Sequence, residues 1–184
     1  GVPSNYKKLR FWRNSSVANL TTGQTASLGI NTLGYEWDYE QPQYASSYPQ
    51  GRITMSSATV IGKTHKLSLY RHSSGALVFG AGTVQWSWGL DGQHWGGSTT
   101  VSPDMQQATV NLFADMGVQA GNIQSGLTQT SLSTDFTAPT ATITSPANGA
   151  TFSVGATINF SGNSSDAGSG VVAAVEISLN GGTT

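Results

Sequence analysis

One break in the sequence constrains this chain more than any other feature. All five Trp, all six Tyr and all three His precede Asp135, and the aromatic residues beyond it are Phe136, Phe152 and Phe160 alone. A chain of 184 residues has room for one medium domain or one and a half small ones. This shift in composition near Asp135 marks a boundary between two parts. The stretch 129–139 (Q-T-S-L-S-T-D-F-T-A-P) has the composition of a linker, and Pro139 favours an extended entry into the next segment. The sequence thus divides into a first domain over 1–130, a linker over 131–138 and a second domain from 139 onward.

Charge is scarce and unevenly placed. Only 9% of residues are charged, against roughly 25% in an average soluble domain. Every Lys and Arg lies at or before Arg71, where Glu36, Asp38 and Glu40 are the only acids, leaving +5; from His72 onward there is no base and six acids. A net charge of −1 without clustered bases excludes nucleic-acid binding by a basic face. No run of apolar residues is long enough to span a membrane. The absence of Cys removes disulfides, thiolate metal sites and a Cys nucleophile. Low charge, abundant Ser, Thr and Gly, and no Cys are together the composition of exported bacterial surface proteins, which places the chain outside the cell or on its surface.

The second part reads as all-β. Residues 140–144 alternate, Pro146-Ala-Asn-Gly149 makes a turn, and Phe152, Val154, Ala156, Ile158 and Phe160 alternate again. A polar loop over 162–170 precedes a strand over 171–179, and Asn180, Gly181 and Gly182 read as a hairpin turn whose return strand would lie beyond Thr184. The run A-P-T-A-T-I-T-S-P-A-N-G-A-T-F resembles the opening of bacterial immunoglobulin-like domains, over about half a module. The chain therefore reads as cut at both ends, two halves of a longer protein.

The first part carries one well-marked helix. Ser102 is placed to cap it, with Pro103 at its first position and Asp104 in its first turn. Met105, Ala108, Thr109, Leu112, Phe113 and Met116 recur on one stripe, and Gly117 follows as a C-terminal cap. Residues 66–71 and 76–79 flank the loop His72-Ser-Ser-Gly75 as a hairpin or neighbouring strands, 52–61 alternates like another strand, and 9–13 reads as a strand edge or loop. The order strand, Gly80-Ala-Gly82 loop, helix is that of an open α/β sheet. Neither phosphate-binding glycine spacing is present.

The ordered series F-W-R, L-G-Y-E-W-D, L-x-L-Y-R-x-x-S-G-A-L-V-F-G-A-G-T-V-Q-W-S-W-G-L-D and S-P-D-M-Q-Q-A-T-V-N-L-F-A-D-M-G resembles the C-terminal region of bacterial proteins related to the large subunit of N,N-dimethylformamidase. The likeness covers about 5–130, and G-A-G-T-V-Q-W-S-W is its most specific element. The resemblance implies part of a glutamine-amidotransferase-like α/β domain, rich in strands, followed by the incomplete immunoglobulin-like sandwich. It further implies an amide-hydrolysing parent in which iron, held by two Tyr and one Glu, activates water against a formyl amide. Only the Glu carries over, onto Glu36; the two Tyr fall in the upstream part of the same polypeptide, so the isolated chain is expected to be inactive.

Each candidate residue has a plain reading beside the functional one. Glu36 is either the metal-ligating carboxylate or a surface acid paired with Arg10 or Arg13. Asp38 either orients a ligand or caps a loop. His94 follows the strand-end loop and faces a cleft or solvent; a triad of a Ser, His94 and Asp91 has no supporting G-x-S-x-G. His65, His72 and His94 are too scattered for zinc. Trp86 and Trp88, two apart, would share one side of a strand, either stacking on a sugar or packing in the core. The function this supports is a fragment of a secreted multidomain protein with an amide-hydrolysing parent domain; the alternative is a non-catalytic surface module binding polysaccharide or protein.

Overall fold

The computed structural model describes residues 1–98 and 100–179. The first part is built on a three-stranded antiparallel sheet of β3 (Ile53–Val60), β4 (Lys63–Arg71) and β5 (Leu77–Gly80). Two short pairs flank it: β1 (Val2–Pro3) with β2 (Thr25–Ala26), and β6 (Gln93–His94) with β7 (Gly97–Ser98). The β3–β4 hairpin closes through Ile61 and Gly62, both at positive φ, as the tight turn that matches strand twist requires. Hairpin β4–β5 closes over His72–Gly75 as the sequence indicates, with Leu69 opposite Phe79 and Arg71 opposite Leu77.

No parallel strand pair occurs among the described residues, so the strand–glycine loop–helix order does not here produce a parallel crossover. The reason is local: β5 turns back on β4, and the chain then coils through the 3-10 turn Trp86–Gly89 before the helix. That coil also removes the basis for placing Trp86 and Trp88 on one side of a strand. Residues 9–13 are likewise a turn rather than a strand edge, with Arg10–Trp12 in 3-10 conformation.

Helix α1 (Pro103–Asp115) forms as its signals require, with Ser102 Oγ accepting from Met105 N at 3.4 Å and Pro103 leading the first turn. Its buried side is not the whole expected stripe. Met105, Ala108 and Leu112 are buried, but Phe113 and Met116 are half-exposed, and Gln106, Gln107 and Asn111 lie inside instead. These amides serve main chain that no other element pairs. Asn111 Nδ2 donates to Phe11 O (2.9 Å) and Arg13 O (2.7 Å), while its Oδ1 accepts from Gln107. Gln107 both donates to Thr128 O (2.9 Å) and accepts from Thr128 N (2.8 Å). The helix is pinned at its ends as well: Asp104 accepts from Ser16 N and Oγ, and Asp115 takes Arg13 in a two-point pair and Arg10 besides. Those arginines compensate an acid at the helix C-terminus, where the backbone dipole disfavours it.

The core joins these layers. Val2, Leu9, Phe11, Trp12 and Val17 from the first turns meet Met55 and Leu67 of the sheet and Ala108 and Leu112 of the helix. Trp12 is fully buried and donates its Nε1–H to Met55 O at 3.1 Å.

In the second part, β8 (Thr140–Ser145) pairs antiparallel with β9 (Ser161–Ser165). The sequence placed a strand over 152–160 and a loop over 162–170; the pairing falls instead on the Ser-rich stretch. Alternation fixes which side chains share a face, not which backbone finds a partner. Residues 171–178 form no strand, since no described strand runs beside them, and the expected turn at Asn180 to Gly182 lies outside the described residues.

Candidate functional site

The segment carrying Glu36 and Asp38 is laid along the glycine run that follows β5. Trp37 bridges Thr83, Asp38 N donates to Gly82 O at 2.8 Å, and Val84 N donates to Glu36 O at 3.2 Å. Thr83 Oγ1 donates to Thr32 O and Leu33 O, fixing the approach. Gly82 is required twice over: its φ is +61°, and a Cβ there would overlap Asp38 Oδ1. The most specific sequence motif is thus the rail on which the acidic segment rests.

Three acids in this segment have three different fates. Asp38 accepts a hydrogen bond from His65 Nδ1 at 2.7 Å, and because a carboxylate only accepts, the ring hydrogen sits on Nδ1. His65 is 5% exposed, packed edge-on beneath Trp37. Glu40 bonds Arg52 and, at 2.8 Å, Lys66, while its own N–H donates to Thr64 O. Glu36 and Asp38 are both exposed, but Glu36 alone of the three has no ion pair among the described residues. It borders a pocket of about 410 Å³ with Tyr35, Trp37, Tyr39, Ile61 and Lys63. The pairing with Arg10 or Arg13 does not occur, because both arginines are engaged by Asp115.

Burial opposes the charge on Glu40, but the hydrogen bonds from Lys66 and Arg52 outweigh it and hold the carboxyl below its ordinary range. A carboxyl lowered on folding stabilises the protein above the pKa it has in the unfolded chain. That contribution fades as pH falls through the folded-state value. Glu40→Gln is therefore expected to melt lower than the parent at neutral pH and to lose less on acidification. Parallel melting curves against pH for the two proteins would remove Glu40 from this role.

His65 and Glu40 escaped the sequence reading. The available signal for His65 was its place in β4, on the face of Leu67 and Leu69: a lone polar residue on an apolar face must find a partner. His94 lies on the short β6–β7 hairpin, its ring stacked on Trp88 at 3.9 Å and 12°, away from the Glu36 pocket's lining. Trp86 packs on Phe79 at 5.4 Å beside the core, whereas Trp95, at the hairpin turn, is 84% exposed.

The chemistry of the pocket tests the iron expectation. Tyr35, Tyr39 and Glu36 are hard oxygen donors, but the Lys63 ammonium lies 4.2 Å over the Tyr39 ring and brings a positive charge to the pocket lining. No group of three His, Asp or Glu among the described residues is arranged to hold a metal ion. The residues present do not by themselves make an iron site.

An acidic segment railed on a glycine run, a helix sealed by amides and a trailing β-pair define a two-part chain: a strand-rich domain joined to an immunoglobulin-like module. The model of the family described as "N,N-dimethylformamidase beta subunit-like, C-terminal" matches residues 2–100, more than half of the chain, and the chain belongs to that family. A second, "Bacterial Ig domain", matches residues 139–184. No curated protein and no solved structure matches the chain. No helix among the described residues is long and apolar enough to cross a membrane.

Proposed function

We propose that the chain is part of a secreted, multidomain bacterial surface protein whose complete first domain, of glutamine-amidotransferase-like α/β type, hydrolyses an amide. In this reading 1–130 is the C-terminal part of that domain, 131–138 a linker and 139–184 the start of an immunoglobulin-like spacer. Glu36 would supply one carboxylate to an iron whose Tyr ligands would come from the upstream polypeptide, and bound iron would provide the activation of water. The observation that carries the reading is the contrast among neighbours. Asp38 and Glu40 are committed to His65 and to Lys66 and Arg52, while Glu36, laid along the glycine run, stands without an ion pair among the described residues in an open aromatic pocket. Asp38 and His65 hold the segment's course beneath Glu36.

The full-length protein is the material for the test. Iron content near one per chain, lost in Glu36→Ala with the fold retained by circular dichroism, is the expected result. Iron retained in that variant removes Glu36 from the site, and a well-folded full-length protein without iron removes the enzyme reading. The 184 residues alone are expected to hydrolyse no formamide; turnover by them would show the site to be misplaced.

The exposed Trp95 beside the Trp88–His94 stack favours a second reading, a module that binds polysaccharide through aromatic faces. Glycan-array binding abolished by Trp88→Ala and Trp95→Ala would support it, and an empty array would count against it. Trp86 is the wrong probe, since its ring packs against Phe79.

A further inference from the structure

One of the acids that follow Arg71 returns to two of the bases that precede it. Asp115 holds Arg10 and Arg13, and from there both arginines reach on into the segment taken as linker. Arg13 Nη2 donates to Thr130 Oγ1 (3.2 Å) and Ser131 O (3.3 Å), and Arg10 Nη2 to Ser131 O (3.1 Å). About two turns earlier in the helix, the Gln107 amide pairs both main-chain groups of Thr128, as a neighbouring strand would. Four of these bonds meet main chain, so 128–131 is held by its backbone course rather than by its side chains. Beyond this strap lies a cavity of about 600 Å³ lined by Lys8, Arg10, Arg71 and Asp115 of the first domain, by Asp135 of the linker and by Asp166 of the module. On its far side Ala173 packs against the first domain's core cluster.

We propose that the first domain's face around Lys8, Arg10 and Arg71 is the docking surface for the chain's own immunoglobulin-like module. The strap at 128–131 fixes the module's exit, and the base–acid complementarity across the cavity seats it. The module is then a stiff extension of the first domain, not a bead on a free tether. The charge split serves this contact: with no base beyond Arg71, nothing on the module repels the basic face.

Backbone ¹⁵N relaxation on the 184-residue chain reads this directly. Amides of 128–131 are expected at order parameters near those of rigid backbone, about 0.85, and in Arg13→Gln below about 0.6. Both parts of the parent are expected to share one tumbling time. Asp135→Asn with Asp166→Asn, which leaves the strap bonds untouched, is expected to give the module a shorter tumbling time while 128–131 stays rigid; high salt should act the same way. Two tumbling times in the parent, or a strap already below 0.6, overturn the docking. A double variant that still tumbles as one body removes the charge pairing as its cause. Should Arg13→Gln fail to fold, the double variant and the salt series decide the question.

Discussion

Asn111→Ala should destabilise the first domain more than any other single polar substitution in it. Asn111 is fully buried and donates to the carbonyls of Phe11 and Arg13, which accept no main-chain hydrogen bond from the described residues. Truncation leaves two buried acceptors unpaired, at about 1–3 kcal/mol each, and strands the Gln107 amide that donates to Asn111 Oδ1. A total of roughly 2–5 kcal/mol is a large share of a domain's stability, about 5–15 kcal/mol. Asn111→Leu separates the causes: it keeps the branched shape and leaves no cavity but lacks the donors, so it should cost nearly as much. Chemical denaturation with both variants measures this. A loss under about 1 kcal/mol in Asn111→Leu would mean that water or rearrangement satisfies the two carbonyls.

Gly82→Ala is the second large effect, and it strikes the candidate site. An alanine at φ +61° pays about 1–2 kcal/mol for the left-handed backbone, and its Cβ would overlap the Asp38 carboxylate. Asp38 must move, breaking its bond to His65, for a combined loss of roughly 2–4 kcal/mol. Gly75→Ala is the matched control: its φ is also positive, +89°, but nothing lies within 4 Å of the added carbon, so it should show the backbone cost alone. The His65 ring-hydrogen signal in the NMR spectrum should disappear in Gly82→Ala and persist in Gly75→Ala. Equal stability losses in the two variants would mean that Asp38 accommodates the methyl group.

These two positions also mark how far the sequence could be read. Helix α1 was legible because its signals are local: Ser102 and Pro103 adjoin it, and Met105, Ala108 and Leu112 repeat at helical spacing. The β4–β5 hairpin was legible for the same reason, through strand residues interrupted by Ser-Ser-Gly. Asn111 was not, because an amide's value inside a helix depends on carbonyls about a hundred residues away in sequence. Phe113 and Met116 looked buried by period, yet the amide face took the interior and rotated them outward. Trp86 and Trp88 looked like a strand pair because alternation over three residues does not distinguish a strand from a tight coil. At the site, the family motif pointed to Glu36 and Asp38, but the partnership of Asp38 with His65 and of Glu40 with Lys66 is created by the β3–β4 hairpin and the rail at Gly82. The likeness to the dimethylformamidase family and to the bacterial Ig domain was readable from ordered motifs and stands.

The clasp of Arg10 on Asp115 and Ser131 spans 105 and 121 residues, and it imposes an order on biosynthesis. The first turns of the chain leave the ribosome, or cross a membrane, long before the helix and strap that will hold them. Until residue 131 has emerged, Phe11 and Trp12 have the sheet but no lid, and two of their neighbouring carbonyls have only water. Such distant closure is slow to form, so the domain should remain open through most of its synthesis and lock late, in one step.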